Sequence, residues 1–245
     1  MNIDIDRLVA AAARRDRDAI SALLACEEPE VTAALAARAR AVMESTVGAN
    51  VYYRGLLEFS NVCALDCYYC GIRAHNTAVS RYTLSEEQII EAAHATADLG
   101  YGSMTLQSGE RTDPGFIDFV TRVLQRIKQE TVSDALPHGL GITLCVGEQE
   151  ESVYRQFYAA GAHRYLLRIE TSDPELFTAI HPGRQRFEKR LRALRALKRI
   201  GYQVGTGVMI GIPGQTHSQL ADDILFFVSE GIDMIGMGPY VPHSQ

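Results

Sequence analysis

Gly201-Tyr-Gln-Val-Gly-Thr-Gly-Val-Met-Ile-Gly-Ile-Pro-Gly-Gln-Thr216 contains one full period of the pattern that decides the fold. Gly201 closes a helical stretch, because glycine takes the left-handed backbone past a helix end without penalty. The apolar run Val204 to Ile210 reads as a buried strand, and Gly211 to Thr216 reads as a turn. Thr216 and Gln219 then have the spacing of a capping box, which opens a helix. The same order recurs outward. Leu56–Phe59, Ser103–Leu106, Ile142–Cys145, Arg164–Ile169 and Met234–Met237 are further short apolar runs. Gly100, Gly161 and Gly231 play the part of Gly201, and Ser85 with Gln88 repeats the capping box. Strand, helix, glycine, strand is the repeating unit of a parallel sheet. Six such runs predict an α/β fold, a partial TIM-type (β/α)6 barrel over residues 51–245. Residues 1–50 carry only helical stripes (Leu8, Val9, Ala12 and Ala13; Ile20, Leu23 and Leu24; Pro29 to Thr46) and are expected to form a helical segment packed against that body.

The 245 residues suit one domain, and 47% hydrophobic with 22% charged residues is ordinary for a globular protein. No apolar run reaches the length of a membrane span. The opening Met-Asn-Ile-Asp-Ile-Asp is acidic and does not resemble a targeting segment. A net charge of −6 gives no electrostatic case for nucleic acid. The expected setting is cytoplasmic, with neither nucleic acid nor membrane as partner.

In barrels of this kind, chemistry sits where strands run into loops at their C-terminal ends. The loop after the first strand reads Asn61-Val-Cys-Ala-Leu-Asp-Cys-Tyr-Tyr-Cys-Gly71. Thiolates are the natural ligands of iron–sulfur clusters. Cys63, Cys67 and Cys70 would fill three corners of a 4Fe-4S cluster and leave the fourth iron open. A zinc site recruiting His75 is the competing reading, but zinc loops more often use two separated ligand pairs. Five cysteines, an odd number, in a chain this long argue against a disulfide scaffold.

Other strand ends carry polar residues. In Leu166-Leu-Arg-Ile-Glu170, alternation places Arg168 and Glu170 on one face, either as a structural ion pair or as charges for a ligand. Gln107-Ser-Gly-Glu110 is a polar strand end or a plain turn. Glycines 205, 207 and 211 leave one face of their strand bare, so either something bulky lies against it or the barrel narrows there. The turn before Thr216 has free N–H groups that could hold an anion. Cys145 and Cys26 read as small packing residues. His138, His163 and His217 have no partner spacing that suggests catalysis.

The Cys-x3-Cys-x2-Cys spacing with Tyr69 before the third thiol resembles the cluster loop of radical S-adenosylmethionine (SAM) enzymes. Tyr53-Arg-Gly-Leu-Leu-Glu-Phe-Ser60, Gly71-Ile-Arg73, Leu106-Gln-Ser-Gly-Glu110, Arg164-Tyr-Leu-Leu-Arg-Ile-Glu-Thr171, Gly211-Ile-Pro-Gly-Gln-Thr216 and Gly238-Pro-Tyr-Val-Pro242 narrow it to the HydE-type maturases of FeFe-hydrogenase, which are similar to biotin synthase. The resemblance implies a cluster on Cys63, Cys67 and Cys70. It further implies SAM held by Tyr69, Gly109, Glu110, Cys145, Arg168, Glu170 and Arg190, the last lying early in the helix after the fourth strand. The family usually has serine where Cys145 stands. The implied chemistry is reductive cleavage of SAM to a 5′-deoxyadenosyl radical. Its small-molecule substrate would be a cysteine-bearing iron carbonyl–cyanide complex, with reduced ferredoxin or flavodoxin and other hydrogenase maturases as partners. A biotin synthase-like or methylornithine synthase-like enzyme is the alternative substrate class, and a fragment that holds or delivers a cluster is the non-enzymatic alternative. HydE-type barrels have eight strands, so strand six is expected at an uncovered edge, in a fragment or in an open barrel closed by a partner. No cysteine beyond Cys145 offers ligands for the second cluster some members carry.

Overall fold

Six parallel strands lie side by side in chain order in the computed structural model, which describes residues 5–183 and 185–243. The first four residues of the acidic N-terminus and the last two of the chain lie outside the described residues. The strands are β1 (Gly55–Ser60), β2 (Ser103–Ser108), β3 (Gly141–Cys145), β4 (Ala162–Leu166), β5 (Gln203–Ile210) and β6 (Met234–Pro239). Between them run α4 (Glu86–Asp98), α5 (Pro114–Glu130), α6 (Glu151–Ala159), α7 (Pro174–Ile180), α8 (Phe187–Ile200) and α9 (His217–Ser229). This is the expected half-barrel.

Local chemistry explains each crossover. Ser85 and Thr216 close full capping boxes with Gln88 and Gln219. Asp113 and Asp173 cap α5 and α7 by accepting from the N–H groups of Phe116 and Leu176, each ahead of a proline that needs no partner for its nitrogen. The four helix-ending glycines take positive φ: 76° at Gly100, 110° at Gly161, 109° at Gly201 and 58° at Gly231. A side chain there would strain the reversal into the next strand.

Neighbours in a parallel sheet share a face, so the register divides the residues. Met104 pairs with Ile142 and Leu106 with Leu144; these point outward into the main core with Ile89, Leu124, Phe157 and Leu197 from the helices. Glu58, Gln107 and Cys145 pair in sequence across β1, β2 and β3 on the opposite, concave face. At β6 the outer residues Ile235 and Met237 are exposed, and β6 pairs with β5 alone among the described residues.

Three helices precede the sheet: α1 (Ile5–Ala13), α2 (Arg17–Leu24) and α3 (Pro29–Thr46). α2 buries Ala19, Ile20 and Leu23. It lies along α9, where Arg17 and Asp222 form a 2.5 Å ion pair. Two boundaries differ from expectation. The regular ladder of β4 stops at Leu166, and Glu170 returns to the sheet only as an isolated bridge to Val208. Two helices, not one, separate β4 from β5. Arg190 sits in the second, α8, because Asp173-Pro174 starts a short extra helix.

Candidate functional site at the C-terminal strand ends

The cysteine loop is held from several sides. Ala64 N–H donates to Glu110 O at 2.9 Å and Tyr68 N–H to Ile180 O at 3.1 Å. Arg81 is the clamp that sequence reading missed. Its Nη1 donates to the carbonyls of Asn61 at 2.6 Å and Ile72 at 2.8 Å, and its Nη2 to those of Arg73 at 2.6 Å and Asn76 at 3.1 Å. A guanidinium that gathers carbonyls follows no periodic pattern, so nothing in the sequence marks it.

Gly109 serves this loop by being small. A Cβ there would fall 2.5 Å from Val62 O and 2.6 Å from the Cys63 Cβ. The end of β2 thereby reaches the loop, and the backbone N–H of Glu110 lies 3.4 Å from Cys63 Sγ, which also faces Leu65 N–H at 3.5 Å. Cys67 is buried, and its thiol lies 3.3 Å from Gln185 Oε1. Burial pushes the Cys67 thiol up to about 11, and the neighbouring Cys70 and Cys63 add to the rise. Cys70 is raised by the same cause. His75, the fourth ligand of the zinc reading, stands in solvent rather than among the thiols: its side chain is 88% exposed, with Nδ1 2.5 Å from Asp66 Oδ2. Among the described residues, no three His, Cys, Asp or Glu side chains gather closely enough for a single metal ion. A four-iron cluster makes no such demand, since each thiolate takes its own corner.

Tyr69 is tied down by His181, another residue without a sequence signal. The phenol oxygen lies 3.0 Å from His181 Nε2, and His181 Nδ1 lies 2.8 Å from Phe177 O. Burial lowers His181 to about 4, so the ring is neutral. The carbonyl can only accept, so Nδ1 carries the proton and Nε2 accepts from Tyr69.

Beside the loop lies a chain of alternating charges. Arg168 Nε reaches both oxygens of Glu170, at 3.0 and 3.1 Å, and its Nη2 donates to Val208 O at 3.0 Å. Gly207 and Gly236 are bare because Arg168 runs across them: a Cβ on Gly207 would strike the Gly236 carbonyl and lie 2.7 Å from Arg168 Nη1. Of the two readings of the glycine face, the bulky neighbour holds at Gly207, where it is the protein's own arginine; a Cβ on Gly205 would instead lie 2.9 Å from Leu166 Cδ1, and one on Gly211 would meet open space. Glu170 has φ of 65°, unusual for a residue with a side chain. Its neighbours hold it there: Asp223 Oδ1 accepts from Ser172 N–H at 2.5 Å and Ser172 Oγ at 2.7 Å.

Arg190 is buried, and its Nη1 donates to Arg168 O at 2.5 Å. Its Nε donates to Glu148 at 3.1 Å, a pairing absent from the sequence reading. Glu148 N–H in turn donates to Glu110 Oε2 at 2.7 Å. Glu110 is therefore held by protein groups, and burial raises its carboxyl above the ordinary range. Gly147, with φ of 78°, leaves room for the Glu110 side chain, which a Cβ would overlap at 2.5 Å. Cys145 ends β3 on the concave face beside Gln107, and burial pushes its thiol up to about 11. Gln107 itself donates to Glu58 Oε1 at 3.0 Å. The residues named from the sequence thus meet at one end of the sheet, with Glu148, His181 and Gln185 among them.

The family model for the radical SAM superfamily matches residues 57–227. The chain is 38% identical over 228 residues to the [FeFe] hydrogenase maturase subunit HydE of Thermotoga maritima, covering 93% of this chain and 62% of that protein. It is 28% identical over 228 residues to the 3-methylornithine synthase of Methanosarcina acetivorans, covering 92% of this chain and 62% of that one. Among solved structures, methylornithine synthase (PylB) superposes with a TM-score of 0.84 at 24% identity, over 97% of this chain and 68% of its own. The chain spans about three-fifths of the length of the two curated relatives.

Proposed function

The chain belongs to the radical SAM superfamily, and from that premise we propose that it is a HydE-type enzyme that reductively cleaves SAM during assembly of the di-iron site of FeFe-hydrogenase. One observation carries the reading: three thiols on a loop fixed at the C-terminal ends of β1 and β2, against a buried relay of charges from α8 and the end of β4. The donor set suits the group. Cys63 already faces two backbone N–H donors, the usual support for a cluster thiolate, and among the described residues no group of side chains gathers as a single zinc ion needs.

Cys63, Cys67 and Cys70 would hold a 4Fe-4S cluster, with SAM on the remaining iron. When bound, the pair supplies a 5′-deoxyadenosyl radical by one-electron cleavage of the sulfonium. The protein's own residues orient and shield. Arg168 presents a cation to a carboxylate, Glu170 an anion to an amine or hydroxyl, and Arg190 fixes the backbone of Arg168 from behind. Tyr69, locked by His181, closes the loop side and excludes water. Gly109 and Glu110 act through packing and backbone, and Cys145 offers a weak thiol donor on the concave face.

The substrate would be a small molecule, a cysteine-bearing iron carbonyl–cyanide complex, and the electron donor reduced ferredoxin or flavodoxin. Other maturases would receive the product, in a reducing cytoplasm. The 38% identity to the maturase, against 28% to the methylornithine synthase, favours this substrate over an amino acid. Anaerobic reconstitution tests the reading. The loaded protein is expected to hold about four irons and to convert SAM to 5′-deoxyadenosine under a low-potential reductant, and Cys67→Ala is expected to lose the iron. Iron retained without conversion would instead support a cluster-holding or delivery role.

A further inference from the structure

Gln185 lies in the link between α7 and α8, the segment that also carries His181. Its Oε1 is 3.3 Å from the buried Cys67 sulfur, while its Nε2 is buried with no hydrogen-bond partner. A buried amide with its acceptor against a cysteine and its donor idle suits a thiol, whose S–H can donate. It does not suit a cluster ligand, because an iron-bound sulfur has lost its proton and can only accept. Half a turn of the carboxamide exchanges the two atoms and disturbs no other group, and the two orientations differ only in which atom meets the sulfur. Cys63 already shows the matching arrangement, with the N–H groups of Glu110 and Leu65 aimed at its sulfur.

We propose that in the loaded protein Gln185 donates an N–H···S hydrogen bond to Cys67 and thereby raises the reduction potential of the cluster. The proposal rests on the cluster-binding reading above. Its physical basis is that reduction adds negative charge to the sulfurs, so a donor stabilises the reduced state more than the oxidised one. Gln185 is then a positioning and tuning residue. It sets how readily an external donor delivers the electron, without touching SAM.

The experiment is a redox titration of the reconstituted protein, followed by electron paramagnetic resonance, with iron counted per chain. Gln185→Met keeps the length and removes the donor, and Gln185→Leu is a second apolar replacement of different shape. Both are expected to retain the iron of the wild type and to titrate at more negative potential. The shift is about tenfold in the reduction equilibrium, or about 59 mV for one electron. The sign decides between orientations. A carboxamide that kept its oxygen on the sulfur would make the potential rise on removal, which overturns the proposal, as does no shift. If one variant fails to hold the cluster, the other carries the test. If both fail, Gln185 is a loop support and the proposal falls. A wild-type protein that takes up no cluster defeats the parent reading instead, visible as missing iron before any titration.

Discussion

Replacing Arg190 with methionine removes the only buried cation beside Glu110 and Glu148 among the described residues. Arg190 is 6% exposed, and its guanidinium makes hydrogen bonds to Glu148 and to the Arg168 carbonyl and lies 5.9 Å from the Phe177 ring centroid. Methionine fills most of the aliphatic volume, so packing contributes little to the loss. What remains is a pair of carboxyl groups linked through the Glu148 N–H, one of them with a 10% exposed side chain. Breaking a buried ion pair from one side costs about 3–5 kcal/mol. Lys189, 3.1 Å from Glu148 and half-exposed, returns about 0–1 kcal/mol. The expected destabilisation of Arg190→Met is therefore about 3 kcal/mol. With a urea slope near 3 kcal/mol/M, the unfolding midpoint of the reduced, metal-free protein falls by about 1 M. Adding Glu148→Gln to Arg190→Met removes one stranded charge and recovers about 1 kcal/mol, a coupling that independent sites would not show. A midpoint within about 0.2 M of wild type, or strictly additive variants, would refute a charge relay held together by Arg190.

Gly207→Ala drives a methyl group into the Gly236 carbonyl and against Arg168 Nη1. It is expected to cost about 1–3 kcal/mol of stability and to weaken SAM binding, measured by equilibrium dialysis on the loaded protein; unchanged affinity would show that Arg168 does not need its present path. Asp223 is fully buried, with Oδ2 lacking a partner, and burial raises its carboxyl above the ordinary 3.8. A carboxyl raised in the folded state favours folding when protonated, so stability is lost as pH rises from 3.8 through the folded value. Asp223→Asn, which cannot ionise, is expected to gain on wild type over that window in urea midpoints taken from pH 4 upward; a constant difference across the series would contradict the assignment.

Much of the scaffold was legible because it is local. Gly100, Gly161, Gly201 and Gly231 each need the backbone freedom that a helix-to-strand reversal requires, and Ser85 and Thr216 cap the helices their spacing announces. The strand limits were less legible where alternation outlasts pairing. Leu167, Arg168 and Ile169 continue the pattern of β4, yet the regular ladder ends at Leu166 because the Thr206 hydroxyl takes its place, donating to Leu167 O at 2.7 Å and accepting from Ile169 N–H at 2.9 Å. The extra helix α7 blurred the address of Arg190 in the same way.

The amino-acid order by itself determined the repeat of strand and helix, the concave and convex faces, and the three thiols at a strand end, because each follows from spacing along the chain. Only the tertiary structure decided which groups meet across it. Arg81 gathers carbonyls up to twenty residues away, His181 holds Tyr69, Glu148 joins Arg190 to Glu110, and Gln185 reaches Cys67. Such contacts depend on distance in space after the sheet has curved, and no period in the sequence encodes them.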